Sequence, residues 1–138
     1  MKNIAIITGG DSSEHEISLR SANVVFNAID KSLYNPFFID IQKDNWYYID
    51  LNSPQKEKYI VNKNDLSIIL NNNKISFDCA FVIIHGNPAE NGKLPAYLDL
   101  INIPYTCCNM LTSAITFKKS YCKKLLEDIN IKTPKGIT

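Results

Sequence analysis

The sequence lacks any long run of apolar residues, and its charges of opposite sign nearly cancel. The N-terminal apolar run, Ile4–Ile7, is too short for the core of a signal peptide, and no later run approaches the length of a membrane span. Fifteen basic and 14 acidic residues leave a net charge of +1, which gives no electrostatic reason to expect nucleic acid or an anionic membrane as a partner. We therefore expect a cytoplasmic protein.

Motifs for metal and nucleotide chemistry are also missing. The four cysteines include no Cys-x-x-Cys pair, so we predict no metal site and expect reduced thiols. The turn at Gly9 and Gly10 lacks the third glycine of a dinucleotide fingerprint and the Gly-Lys-Ser or Gly-Lys-Thr end of a P-loop. No serine stands in the context of a nucleophile elbow. These absences disfavour a nicotinamide enzyme, a P-loop enzyme and a serine hydrolase.

What the sequence does contain is a strand-to-helix turn near its N-terminus. The strand-like run Ile4–Ile7 is followed by two glycines and then by apolar residues at helical spacing from Ile17 to Ile29. Ser13 and Glu16 have the spacing of a capping box, which predicts a helix that starts at Ser13. Glu14 would then lie in the first helical turn, where the positive end of the helix dipole stabilises a carboxylate.

The rest of the chain alternates predicted strands and helices. The predicted strands are Pro36–Ile41, Trp46–Ile49, Lys58–Val61, Cys79–Ile84 and Ile103–Thr106, with a hairpin made by Leu66–Leu70 and Lys74–Phe77. The predicted helices span Leu94–Ile101, Leu111–Phe117 with Asn109 as its cap, and Tyr121–Ile129. This alternation predicts an α/β fold in which a mainly parallel sheet has helices on both faces, with the central segments at its periphery.

Two of the predicted strands, Ile4–Ile7 and Cys79–Ile84, are strongly apolar, and each runs into a polar turn. Parallel strands place such turns at one edge of the sheet, where open α/β sheets bind ligands, so Glu14 and His85 are expected to face one crevice. Each residue also has a structural interpretation: Glu14 as a partner of the helix dipole, and His85 as a structural histidine. His15 is expected to be a solvated neighbour of Glu14. The residues alone predict an α/β domain with a small-ligand crevice.

Ordered motifs along the chain resemble those of a known enzyme family. Residues 9–22, Gly-Gly-Asp-Ser-Ser-Glu-His-Glu-Ile-Ser-Leu-Arg-Ser-Ala, are similar to the N-terminal signature of the D-alanine–D-alanine ligases. Later segments resemble that family in the same order, namely His85-Gly86, residues 90–94, 103–106, 112–114, 117–119 and 132–134. The resemblance is weakest at residues 41–77. Ala89, Pro95 and Ala96 depart from the family pattern, which usually has glycine and then Gln-Gly at these places.

The resemblance implies a fold, an activity and roles for particular residues. The fold would be a three-layer α/β/α, Rossmann-like (pre-ATP-grasp) domain, and the likeness to ATP-grasp ligases implies ATP and Mg²⁺ as cofactors. Such ligases join two D-alanines through an acyl phosphate in peptidoglycan precursor synthesis, and they form homodimers largely through this domain. The resemblance implies that Glu14 is catalytic and holds the ammonium of the first D-alanine. It also implies that His85 and Ser18 bind this substrate and that Lys119 reaches the ATP phosphates.

The family pattern also divides the chain. Residues 1–117 would form the N-terminal substrate-binding domain, and residues 118–138 would begin the central ATP-grasp region. Because the ATP pocket and magnesium ligands of such ligases lie in later domains, we expect residues 1–138 alone to lack ligase activity and to bind neither ATP nor Mg²⁺. Two alternatives stay open: a non-catalytic module for dimerisation or small-ligand binding, and a related ATP-grasp ligase that makes D-alanine–D-lactate.

Overall fold

The computed structural model describes residues 1–136, in which one strand and one helix are followed by six successive strands and then by three helices. The strands are β1 (Lys2–Gly9), β2 (Tyr34–Gln42), β3 (Asn45–Ile49), β4 (Lys58–Ile60), β5 (Ile68–Leu70), β6 (Asn73–Ile75) and β7 (Cys79–Val82). The helices are α1 (His15–Ala28), α2 (Lys93–Leu100), α3 (Met110–Phe117) and α4 (Lys119–Asp128). The predicted α/β class is confirmed.

The main sheet has five strands in the order β4-β3-β2-β1-β7. At its centre, β1 is parallel to both neighbours, with Ile6 opposite Phe38 of β2 and opposite Phe81 of β7. β3 and β4 extend the sheet in antiparallel fashion at one edge, as expected for the central segments. Because β1 and β7 are parallel neighbours, the turns that follow them lie together at the carboxyl ends of the parallel strands, which we call the carboxyl edge of the sheet.

Helices cover both faces of this sheet. Alternate residues of β1 point to opposite sides, and each side is buried against a helix. On one side, Ile4 and Ile6 belong to a buried cluster with Ala22 and Phe26 of α1. On the other, a larger buried cluster joins strands, α2 and the residues around the β5-β6 hairpin, and it includes Ala5, Ile7, Ile39, Leu66, Ile68, Leu94 and Leu98. The predicted three-layer α/β/α arrangement is confirmed.

The predicted hairpin and one predicted cap are confirmed. β5 and β6 form a separate antiparallel pair, and Asn71 and Asn72 between them have φ of 49° and 63°, which asparagine tolerates better than most residues. Asn109 caps α3, since its side chain accepts a hydrogen bond from the N–H of Thr112 at 2.9 Å. Within residues 1–136, no helix has both the length and the apolar character needed to cross a membrane.

The predicted start of α1 at Ser13 is wrong. The helix begins at His15 with Glu14 as its N-cap residue, and no side chain caps it in the manner of a capping box. The physical reason is that the hydroxyl of Ser12, not that of Ser13, accepts from the N–H of Glu14 at 3.1 Å. This local bond holds Ser12 to Glu14 as a turn, so the helix starts two residues later than predicted.

The predicted strand at residues 103–106 is reduced to a single bridge. Tyr105 pairs with Ala80 of β7, with the N–H of Ala80 donating to the carbonyl of Pro104 at 2.8 Å and the N–H of Thr106 donating to Ala80 at 3.2 Å. Pro104 has no N–H to offer, which limits a ladder at this edge of the sheet.

Candidate functional site

Two glycines carry the chain out of β1 at the edge where the ligand crevice was expected. Gly9 and Gly10 have φ of +89° and +96°, in the left-handed region that favours glycine. A Cβ added to Gly10 would lie 2.5 Å from the carbonyl oxygen of Asn87, and one added to Gly9 would lie 2.3 Å from a carboxylate oxygen of Asp40. The turn therefore packs closely between β2 and the loop that follows β7.

Glu14 combines a fixed backbone with a free side chain. Its N–H donates to the Ser12 hydroxyl at 3.1 Å, and its carbonyl accepts from the N–H of Ser18 at 2.9 Å. The side chain is exposed, and it makes no hydrogen bond or ion pair with another residue of the described range 1–136. As the N-cap residue, Glu14 carries its carboxylate at the positive end of α1.

Two serine hydroxyls join Glu14 to His85, although these residues are far apart in sequence. Ser12 accepts from the N–H of Glu14 at 3.1 Å and donates to the carbonyl of His85 at 2.7 Å. Ser18 accepts from the N–H of His85 at 3.0 Å and donates to the carbonyl of Glu14 at 3.1 Å. We call these two residues, Ser12 and Ser18, the serine clasp. The clasp holds the main chains of Glu14 and His85 in one place at the edge of the sheet.

The loop after β7 packs directly against the serine clasp. Gly86 has φ of +83°, and a Cβ added to it would lie 2.9 Å from the Cβ of Ser12, so the two turns are in direct contact. The ring of His85 is half-buried and makes no hydrogen bond within the part of the chain that the structure describes. The backbone of His85 is thus fixed while its ring nitrogens stay available.

His15 is not the solvated neighbour that the sequence suggested. Its side chain is only 18% exposed, and Nε2 lies 3.6 Å from Oδ1 of Asp40. Nδ1 is 3.0 Å from the carbonyl oxygen of Gly10, and Nε2 is 3.0 Å from the side-chain amide nitrogen of Gln42. The expectation was wrong because β2 ends beside the start of α1, a neighbour relation that local sequence does not reveal.

Burial raises the pKa of the Asp40 carboxyl, against the lowering effect of His15 and Lys58. Asp40 is 4% exposed, and its Oδ1 has no hydrogen-bond partner among the described residues. A buried carboxylate without a full set of partners is costly, and the side chains of His15 and Lys58 reduce this cost only in part.

Sequence and structural comparisons identify the family of this domain. A profile of the family described as D-ala D-ala ligase N-terminus matches residues 3–108. The chain belongs to this family. It is 45% identical over 137 residues to the D-alanine–D-alanine ligase of Azobacteroides pseudotrichonymphae, a match that covers 99% of this chain and 41% of that protein.

Solved ligase structures share the fold of this N-terminal domain. The D-alanine–D-alanine ligase of Coxiella burnetii superposes with a TM-score of 0.84 at 30% identity, over 98% of this chain and 44% of that one. The VanG D-Ala:D-Ser ligase of Enterococcus faecalis superposes with a TM-score of 0.81 at 31% identity, over 97% of this chain and 43% of that one. The chain thus spans about two fifths of the length of the ligases that it matches.

Within this ligase N-terminal domain, Ser18 lies in the clasp and not on the surface. The residue is fully buried, and its hydroxyl contacts the backbones of Glu14 and His85. The substrate contact that the resemblance implied for Ser18 stays a prediction, whereas its buried place in the clasp is shown. The physical reason for this burial is that Ser18 lies one helical turn after Glu14, on the face of α1 that packs against the loop after β7.

Lys119 lies apart from the clasp in the described structure. It is the exposed first residue of α4, and it lines a surface hollow of about 480 Å³ together with Lys123 and Lys124. The residues that line this hollow include neither Glu14 nor His85. α3 and α4 meet at Lys118, which is where the predicted boundary between residues 1–117 and 118–138 falls, and this boundary stays a prediction.

The departures from the family pattern are accommodated around α2. Pro95 is buried in the first turn of α2, where a missing N–H leaves no helical hydrogen bond unmade. Ala89 is 5% exposed and lines a cavity of about 330 Å³ beside the loop after β7. The methyl group of Ala89 therefore narrows this cavity, whereas Pro95 leaves the helix intact.

Sequence reasoning missed Ser12, Asp40 and Gln42 as parts of this site. Asp40 carried a signal, because it is a lone carboxylate inside the apolar run of β2. Ser12 and Gln42 carried none that could be read locally, since each acts through a residue from a distant part of the chain.

The clasp predicts a stability effect for Ser18→Ala. The substitution would leave the N–H of His85 without its partner, and we expect the free energy of unfolding to fall by about 1–3 kcal/mol, measured by urea denaturation. Ser21→Ala is the matched control, because the hydroxyl of the half-buried Ser21 bonds only to the carbonyl of Ile17 in the same helix. Equal losses for the two variants would show that the clasp adds nothing.

Proposed function

We propose that this chain is the N-terminal, substrate-binding part of a cytoplasmic, ATP-dependent D-alanine–D-alanine ligase. The observation that carries the proposal is the serine clasp, which holds Glu14 and His85 together at the carboxyl edge of a parallel sheet. Ligands of open α/β sheets bind at that edge. The sequence and structural kinship to D-alanine–D-alanine ligases supports the same activity for the full-length protein.

In this proposal, the Glu14 carboxylate accepts hydrogen bonds from the ammonium of the first D-alanine. The carboxylate is exposed, and a charge-assisted bond to an amine is among the stronger polar contacts available to it. The side chain makes no capping hydrogen bond in α1, so its carboxylate oxygens are free to accept from a ligand. A carboxylate on a fixed backbone that is itself unpaired suits a group that binds a cationic ligand.

His85 and Ser18 support the same substrate in different ways. The His85 ring is placed near the first D-alanine by its fixed backbone, so that its nitrogens can contact the substrate. Ser18 acts through the clasp, as a positioning residue for both neighbours. The phosphoryl group that activates the first carboxylate comes from ATP bound in the rest of the ligase.

The described residues include cations that suit the phosphates of ATP, but no cluster of ligands that suits Mg²⁺. Lys119, with Lys123 and Lys124 beside it, offers cations at a surface hollow, and we propose Lys119 as a contact to the ATP phosphates. Residues 1–136 contain no group of three histidine, cysteine or acidic side chains that could hold a metal ion, so we assign no residue of the described chain to Mg²⁺.

The full-length ligase is further proposed to be a homodimer that uses this domain. Exposed apolar side chains on α3 and α4 supply a surface for such contacts, among them Leu111, Phe117, Tyr121 and Leu125.

An activity assay tests the proposed function. The full-length protein that contains this chain is expected to form D-alanyl-D-alanine from D-alanine, ATP and Mg²⁺, with L-alanine as the control substrate and mass spectrometry as the readout. Residues 1–138 alone are expected to form no dipeptide. Absence of product from the full-length protein would contradict the proposal and favour a non-catalytic module.

A second candidate concerns the other substrate. The VanG protein that shares this fold is described as a D-Ala:D-Ser ligase, so similar N-terminal domains occur with different second substrates. Supplying D-serine or D-lactate beside D-alanine in the same assay distinguishes a dipeptide ligase from one that prefers these partners.

A further inference from the structure

The ring of His15 lies between the glycine turn and strand β2 and contacts both. Its Nδ1 lies 3.0 Å from the carbonyl oxygen of Gly10, and its Nε2 lies 3.0 Å from the amide nitrogen of Gln42. Nε2 also lies 3.6 Å from Oδ1 of Asp40. One side chain thus touches the start of the Glu14 turn on one side and the end of β2 on the other.

The hydrogen-bond partners define which ring nitrogen carries a proton. The carbonyl of Gly10 can only accept, so Nδ1 must donate to it. In the neutral ring, Nε2 is then bare and accepts from the amide of Gln42. If the ring is protonated, the second N–H faces the Asp40 carboxylate, whose Oδ1 has no hydrogen-bond partner among the described residues. Either form keeps the bond to Gly10.

Close packing around Gly9 brings these groups together. A Cβ on Gly9 would lie 2.3 Å from Oδ1 of Asp40 and 3.0 Å from Cε1 of His15. Only glycine therefore leaves room for the ring and the carboxylate to meet beside the turn. Because Glu14 immediately precedes His15 in the chain, a ring that is fixed to Gly10 and Gln42 restrains the backbone beside Glu14.

We propose that His15 is a positioning residue for Glu14. The Nδ1 of His15 donates to the Gly10 carbonyl, and its Nε2 contacts the side-chain amide of Gln42 at the end of β2. The inference rests on the proposed role of Glu14 in binding the first D-alanine. Ser12 and Ser18 fix the Glu14 backbone toward the loop after β7, and His15 fixes it toward β2. The backbone that carries the Glu14 carboxylate is then held from both sides.

Two substitutions in the full-length ligase separate this role from simple filling of space. His15→Ala is expected to raise the KM for the first D-alanine about 10-fold, with a much smaller change in kcat, because orientation of the ammonium site is lost. His15→Asn is expected to recover most of this loss, because the Asn amide nitrogen can occupy the place of Nδ1 and donate to Gly10. Ser21→Ala, whose hydroxyl bonds only within the same helix, is the control for a general disturbance of α1.

Nuclear magnetic resonance of the isotope-labelled wild-type protein supplies a readout that needs no variant. The His15 ring is expected to carry its proton on Nδ1, whereas a neutral imidazole in water prefers the other nitrogen. A ring protonated only on Nε2 would overturn the inference, and so would a His15→Asn variant as impaired as His15→Ala. Glu14→Gln, measured in parallel, separates the two proposals. If it leaves the first-substrate KM unchanged, the proposed function of Glu14 fails. If it raises KM while His15→Ala does not, only the role of His15 fails.

Discussion

Replacing Glu14 with glutamine in the full-length ligase is expected to raise the KM for the first D-alanine by about 100-fold, because a hydrogen bond between charged groups contributes up to about 3 kcal/mol. Glutamine keeps the size of the side chain and removes its negative charge. The ammonium of the substrate would then face a neutral amide at the end of α1, where the helix itself repels a cation.

The same substitution is expected to leave the fold unchanged. The Glu14 side chain is exposed and bonds to no other residue within positions 1–136, while the clasp uses only the backbone of Glu14. We therefore expect the free energy of unfolding to change by less than about 0.5 kcal/mol. A selective loss of substrate affinity is what distinguishes a ligand-binding carboxylate from a helix-dipole partner.

Glu16→Gln is the matched control for this measurement. Glu16 is also exposed and also lies at the start of α1, but it takes no part in the clasp. Steady-state kinetics with varied D-alanine should show a large KM change for Glu14→Gln and almost none for Glu16→Gln. Similar changes in the two variants would mean that the general charge of the helix end is what matters.

Gly10→Ala is expected to have the largest effect on stability, with the free energy of unfolding lower by about 3–5 kcal/mol. At φ of +96°, an L-residue is strained before any contact is considered. The added Cβ would also lie 2.5 Å from the carbonyl oxygen of Asn87 and 2.7 Å from Cγ2 of Ile84. Because the first of these atoms is backbone, the clash is relieved only by moving the loop after β7.

Gly136→Ala serves as the control for this prediction. A Cβ there would meet the end of the Lys123 side chain at 2.7 Å from Nζ, and a flexible lysine can move away. Urea denaturation followed by circular dichroism should separate the two variants clearly. If Gly10→Ala proves as stable as Gly136→Ala, the turn after β1 is not packed as the structure shows.

The layer architecture of this domain was predictable from local sequence. Apolar runs such as those of β1 and β7 predict buried strands, and the helical spacing between β1 and β2 predicts a parallel connection of these two strands. Asn71 and Asn72 marked the hairpin because asparagine tolerates positive φ. These features depend on periodicity and on the conformational preferences of single residues, which the sequence carries directly.

The details of the candidate site were not predictable in the same way. The start of α1 was misplaced because Ser12 and Ser13 are chemically alike, and only the contact with the loop after β7 selects Ser12. His15 was misjudged because its partners Asp40 and Gln42 lie on another strand. Sequence reasoning could place Glu14 and His85 at one sheet edge, but it could not supply the hydrogen bonds that join them.

The most direct test of the account is a crystal structure of the full-length ligase with D-alanine bound. We predict that the substrate ammonium lies within about 3 Å of the Glu14 carboxylate, as charge-assisted hydrogen bonds require, with Ser12 and Ser18 still joining Glu14 to His85. An ammonium held by other groups, with the Glu14 carboxylate left in solvent, would contradict the central claim.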